Sequence, residues 1–158
     1  MVWKKLKEYL GVMKLTRIEL EQEAIVVGEY CEIIINLMEY VSELSLVKLY
    51  TFAFLYNKSM SNNWNAYNGQ NSTDVIYKCL SSLSGAFDEY CKNITFIIRA
   101  VDILCKADKI QVIGGYVKHE NKVKRKVSSS VLSIIYKALD ESSFFTDRQF
   151  LKEVIRNV

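Results

Sequence analysis

The chain contains no proline, only six glycines and a single histidine. Without proline and with so few glycines it lacks the turn punctuation of β-sandwiches and barrels, so a mainly helical fold is expected. The lone histidine, His119, stands in a polar, basic stretch. Ser-His-Asp or Cys-His catalysis would need it buried beside a nucleophile, so a solvated role is expected instead. No G-x-x-x-x-G-K-[ST] or G-x-G-x-x-G loop is present to cradle phosphate. Long apolar runs are missing as well. The stretch from Ala24 to Val41 carries Glu29, Glu32 and Glu39, and Leu49 to Asn57 is too short to cross a bilayer. No membrane span is expected. The opening MVWKKLKEYLGV has neither a continuous apolar segment nor a small-residue cleavage site, so no signal peptide is read.

Half the residues are apolar and a quarter are charged, enough to build a core in a chain of 158 residues. One domain is expected over residues 1–158. It divides into N-terminal helices over 1–58 with an acidic helix among them, a loop over 59–73, and a second half over 74–158. The four cysteines, Cys31, Cys79, Cys91 and Cys105, are spaced by 48, 12 and 14 residues with no C-x-x-C pair. That spacing does not suit zinc, and buried free thiols in a cytoplasmic protein are expected. The sequons at Asn57, Asn71 and Asn93 then carry no meaning. No metal or cofactor is expected.

Charge is more informative by position than by sum. The net charge is +3, yet Ile18 to Val47 holds seven glutamates and no lysine or arginine, while Lys118 to Lys126 holds five basic residues and one glutamate. Opposite charge on different parts of the chain suits partners of opposite sign.

The apolar spacing predicts the elements. Residues 3–14 form a short amphipathic helix with Trp3, Leu6, Tyr9 and Leu10 on one side. Leu20, Ala24, Val27, Cys31, Ile34, Met38 and Val41 recur every three or four residues, a seam for a second helix that packs on this domain or also on another chain. Ser42 or Ser45 caps a helix over Leu46–Tyr56 that is apolar on nearly every side. The uncharged SMSNNWNAYNGQNST loop follows, and its Trp64 and Tyr67 are either partner contacts or pegs into the core. A helix over 74–92 and another from Asn93 to about Lys106 come next. Ile110–Ile113 reads as a strand, Gly114-Gly115 supplies the positive φ of a tight turn, and Tyr116-Val117 returns. Lys122–Val127 reads as a further strand. A helix over 129–139 follows, and Thr146-x-x-Gln149 is a capping box for a last helix carrying Phe150, Leu151, Val154 and Ile155 inward.

A helix feeding a hairpin with a basic tip is the pattern of a winged-helix module, which binds DNA or protein and seldom catalyses. Lys118, Lys122, Lys124, Arg125 and Lys126 are the candidate phosphate contacts on the wing, with affinity that falls with salt. A merely solvated basic loop is the competing reading. The helix before the wing offers Arg99, Asp102, Lys106 and Lys109 but no Asn or Gln cluster for base edges, so specific readout is not expected. Glu21, Glu29 and Glu32, with Trp64 and Tyr67, are the candidate partner contacts. A metal-nuclease arrangement of Asp108 with Glu120-x-Lys122 is the sharpest catalytic candidate, but YVKHENKVKR is not the buried apolar strand that such a site requires.

From Leu46 to Val117 the chain resembles the small middle component of bacterial three-component ABC systems, including the Lamassu-type defence operons. The likeness is carried by LYTFAFLY, AFDEYCKN and ITFIIRAVDILCKADKI running into Gly114-Gly115, with FLKEVIRNV compatible at the end. Many members have an Asn-Pro near the start, which this chain lacks. The resemblance implies a non-enzymatic subunit that bridges an SMC-type ATPase and an effector nuclease in defence against phage or plasmids. It also implies kinship with winged-helix accessory subunits. A stand-alone winged-helix DNA-binding regulator is the alternative. The expected fold class is therefore mainly α, one helical domain with a winged-helix-like module carrying a short β-hairpin.

Overall fold

The helix over Leu46–Ser59 (α2) is apolar on nearly every side, and such a helix is stable only when largely enclosed. A computed structural model describes the backbone of residues 2–61, 75–120 and 130–158, and the side chains of residues 17–61, 75–120 and 132–158. Within it α2 lies at the centre. Thr51, Phe52, Ala53, Phe54, Leu55 and Tyr56 are buried in succession. Helix α1 (Val2–Tyr40) and helix α4 (Phe87–Lys106) pack on α2 and on each other, while α5 (Ser130–Ser142) and α6 (Asp147–Asn157) cover another side. The short α3 (Val75–Ser81) sits against α5 and α6. Ring contacts mark the joins. Phe52 meets Phe150 with centroids 5.6 Å apart, and Phe54 meets Tyr90 edge-on at 5.2 Å.

Three strands form one small antiparallel sheet in the order β1 (Glu43–Ser45), β3 (Tyr116–Lys118), β2 (Gln111–Ile113). A strand between the first two helices thus pairs with a hairpin that follows α4. The expected fold class is thus met: a mainly helical fold carrying a short hairpin. Gly114 and Gly115 turn the hairpin with φ of 59° and 80°, the left-handed backbone that the sequence signal required. Val117 and Leu44 face the core from the middle of their strands.

Several boundaries differ from the sequence reading. The two expected N-terminal helices are one helix of 39 residues, because no proline interrupts Thr16-Arg17. Its seam is buried only from Val27 onward, whereas Leu20 and Ala24 are exposed. Tyr30 and Leu37 join that buried face and were not singled out. The third helix stops at Ser81 instead of running to 92, and Gly85 at φ 75° lies in the turn that follows. Asn93 consequently sits inside α4 and not at its start. Its amide donates to the Glu89 carbonyl at 2.8 Å, and its Oδ1 accepts from the Tyr30 hydroxyl at 2.5 Å. Strand β1 was unforeseen. In α6, Phe150 and Val154 are buried but Leu151 and Ile155 are exposed, so the inward face is narrower than expected. Ser45 caps α2 by accepting from the Lys48 N–H, and the Thr146–Gln149 capping box forms as its spacing implied. The expected strand over Lys122–Val127 lies outside the described residues.

Two local devices set the joints between elements. Helix α4 ends in a Schellman motif: the Lys109 N–H bonds the Leu104 carbonyl at 2.9 Å and the Asp108 N–H bonds Cys105 at 3.1 Å. Asp108 holds φ 56° there, a position that glycine normally fills. At the other end of the core, Lys48 Nζ donates to the Ser142 carbonyl at 2.8 Å and the Phe145 carbonyl at 2.7 Å, closing the C-terminus of α5 with a cation. Burial lowers the pKa of this amine, with Asp147 opposing the shift. Asp108→Gly should raise the denaturant midpoint at constant slope, by about 0.5–1 kcal/mol of relieved backbone strain, and Asp108→Val should lower it. Lys48→Met keeps the stem but strands two carbonyls, and should cost about 1–2 kcal/mol in the same measurement.

Candidate interaction surfaces

The hairpin brings the first of the expected wing cations into view. Lys118 is exposed at the end of β3, where the register sets it opposite Glu43 of β1 and Gln111 of β2. Its Nζ lies 3.7 Å from the Glu43 carboxylate, an exposed pair worth under about 1 kcal/mol. Lys122, Lys124, Arg125 and Lys126 lie outside the described residues. The hairpin tip itself is apolar and not basic, which corrects the sequence reading. The glycine pair places the turn before the cations begin, so Val112, Ile113 and Tyr116 are the exposed residues there.

His119 is half-buried and not a solvated wing residue. Its Nδ1 lies 2.8 Å from the Lys109 carbonyl, and its backbone N–H donates to the Ser42 carbonyl at 3.0 Å. The ring therefore ties the base of the hairpin to the end of α4. Beside it is a cavity of about 170 Å³ lined by Asp108, Lys109, Gln111, Lys118 and Glu120 among others. The two carboxylates of the nuclease arrangement thus share one small opening, while Lys122 lies outside the described residues. Among the described residues, no group of three His, Cys, Asp or Glu side chains is arranged to hold a metal ion.

The acidic helix gives a second surface. Glu29 and Glu32, one turn apart on α1, line a cavity of about 420 Å³ with Ile33, Asn36, Tyr56 and Met60. Glu21 is remote from it and pairs with Arg17 at 3.6 Å. Two of the three proposed glutamate contacts are thus brought together by the structure, and the third is not. Trp64 and Tyr67 lie outside the described residues. Tyr56 was missed because α2 read as core to its end, and Met60 because it fell in the expected loop. In fact the last turn of α2 opens against α1, where Asn36 donates to the Tyr56 hydroxyl at 3.5 Å.

Helix α4 leads into the hairpin, and its outer face carries two ion pairs. Arg99 donates to Glu23 of α1 at 2.8 Å, and Lys106 to Asp102 at 2.6 Å. The apolar side chains of Phe87, Ile98 and Ile103 are exposed on the same helix. Among the described residues no helix is long and apolar enough to cross a membrane.

The cysteines follow their burial. Cys79 is fully enclosed, and burial pushes its thiol up to about 12, whereas Cys91 is exposed on α4. Burial also raises the pKa values of Cys31 and Cys105. Only a thiolate reacts readily with an alkylating reagent. Native protein at mildly alkaline pH should therefore be alkylated fastest at Cys91 and not at Cys79, with Cys79 reacting only after unfolding, as read by peptide mass spectrometry. No protein-family model, no curated protein and no solved structure matches this chain.

Proposed function

We propose that the chain is a non-enzymatic accessory subunit of an SMC-type ABC ATPase complex in antiphage or antiplasmid defence. In this reading it works in the cytoplasm and bridges the ATPase and an effector nuclease. The basic segment that begins at Lys118 touches double-stranded DNA without sequence preference. The partner classes come from the resemblance of Leu46–Val117 to the middle component of three-component ABC systems. The observation that carries the choice of adaptor over DNA reader is the outer face of α4. A helix that reads base edges needs free guanidinium and amide groups aimed at the groove. Here Arg99 and Lys106 are engaged by Glu23 and Asp102, and exposed Phe87, Ile98 and Ile103 stand among them. Neutralised charge with interspersed apolar side chains suits a protein surface better than a phosphate backbone. The cavity between α1 and α2, with two carboxylates at its rim and Met60 beside them, supplies a second contact for a basic and apolar partner segment. A stand-alone winged-helix regulator is the second reading, favoured by the strand order β1-β3-β2 alone.

Co-expression with the ATPase encoded by a neighbouring gene tests the assignment. The chain should co-elute with that ATPase, and Glu29→Lys with Glu32→Lys should weaken the complex about tenfold, equivalent to about 1.4 kcal/mol. By itself the chain should bind labelled duplexes weakly, with equal affinity for unrelated sequences and a steep loss on adding salt. Nanomolar, sequence-selective binding by the isolated chain, without ATPase association, would overturn the proposal in favour of the regulator.

A further inference from the structure

Helix α6 has a second apolar side that its own fold does not use. Phe150 and Val154 are buried against the core, whereas Leu151, Ile155 and Val158 are exposed, Ile155 to 69%. The three follow one another at four and three residues, so they form a single stripe on the outer side of the helix. Arg148, Lys152 and Arg156 recur every four residues beside that stripe, and all three are exposed. Arg156 lies 3.7 Å from Glu153, while Arg148 and Lys152 enter none of the ion pairs among the described residues. Single exposed apolar side chains are ordinary, but a stripe bordered by one sign of charge matches a partner of the opposite sign. A second α6 is excluded as that partner, because its cations would meet these.

The chain carries the complementary surface itself. On α1, Ile18 and Ile25 are 67% and 64% exposed and stand seven residues apart. Glu21, Glu29 and Glu32 are exposed at helical spacings of three, four or seven residues from them, and so share that outer face. Residues 18–40 contain six glutamates and no lysine or arginine. The nearest cation is Arg17, 3.6 Å from Glu21. Helix α1 packs on α2 and α4, whereas α6 packs on α2 and α3, so the two outer faces belong to different sides of the molecule.

We propose that the outer stripe of α6 docks on the acidic outer face of α1 in a second copy of this chain. The spacings agree: Leu151 and Val158 are seven residues apart, as are Ile18 and Ile25. One antiparallel alignment therefore seats Leu151 on Ile25 and Val158 on Ile18 together. It also brings Arg148 level with Gly28, one residue from Glu29, and Lys152 level with Ala24, between Glu21 and Glu29. Parallel alignment of the same apolar pairs would set Arg148 within a turn of Arg17, a like charge, so the antiparallel sense is selected. Each copy offers α6 on one side and α1 on another. The contact is thus head to tail and continues beyond two copies. It competes for Glu29 with a segment held in the cavity between α1 and α2.

Sedimentation velocity of the full chain over a concentration series tests this. A single helix pair is a small interface, so association should set in at on the order of tens of micromolar. The mean sedimentation coefficient should rise without a plateau at the dimer, and should fall as salt is added. Arg148→Glu with Lys152→Glu should raise the dissociation constant at least tenfold, and so should Glu21→Lys with Glu29→Lys. The first variant leaves the cavity between α1 and α2 untouched, so its effect belongs to this contact alone. Mixing the two variants should restore association, because the inverted α6 of one meets the inverted α1 of the other. Ile155→Gln changes no charge and should weaken association as well. Circular dichroism verifies that each variant is folded. A wild type that stays monomeric up to about 0.3 mM, well above that range, overturns the proposal. So does a mixture of the two charge variants that fails to associate.

Discussion

Enclosure of α2 is the constraint on which the remaining structure depends. A helix with Leu49, Thr51, Phe52, Ala53, Phe54, Leu55 and Tyr56 all buried leaves little of its middle to water. Its neighbours must therefore come from both ends of the sequence: α1 and α4 on one side, α5 and α6 on the other. The polar groups taken inside with it are satisfied locally. The Thr51 hydroxyl bonds the Val47 carbonyl at 3.2 Å and lies 3.0 Å from the Tyr90 hydroxyl, so the polar groups buried between α2 and α4 satisfy each other. Lys48, one turn earlier, performs the same task toward α5 with its amine. The centre is therefore apolar in bulk but fixed in orientation by a few hydrogen bonds at its periphery.

Enclosure also explains how the hairpin is mounted. β1 immediately precedes α2, and Leu46 donates its N–H to the Gly115 carbonyl at 2.9 Å, so the first residue of the central helix already touches the hairpin turn. Leu44 and Val117 then fill the space beneath the sheet. His119 and the Asp108 turn fasten the opposite corner, holding the sheet to the end of α4. The sheet is small, yet it is anchored to the start of α2 by a backbone bond and to the end of α4 by the His119 ring, and so it presents Val112, Ile113 and Tyr116 in a defined orientation.

The elements legible in the sequence were those whose signal is local. The apolar run of α2, the double glycine and the Thr146–Gln149 box each specify their structure through neighbouring residues. What escaped needed a partner distant in the chain. Glu-Leu-Ser is not a strand by composition, and it becomes one only because Tyr116–Lys118 lies alongside. Tyr30, on no expected seam, is held by Asn93 of α4, which accepts from its hydroxyl. The unity of α1 was hidden because amphipathic patterning was read in two registers, while nothing in Thr16-Arg17 actually stops a helix. Of the surface sites, the pairing of Glu29 with Glu32 follows from helical spacing. The cavity they border depends on where Tyr56 and Met60 arrive from α2, which no local pattern reveals.

The brevity of β2 has a colloidal consequence. An open sheet edge bearing apolar side chains is ordinarily a template on which other chains add strands and grow fibrils. Among the described residues β2 has no neighbour on its outer side, and it is only three residues long, cut off by a left-handed turn on one side and a helix terminus on the other. So short a margin offers too few unpaired amides to nucleate such growth, and the fold keeps an apolar outcrop in water without inviting aggregation.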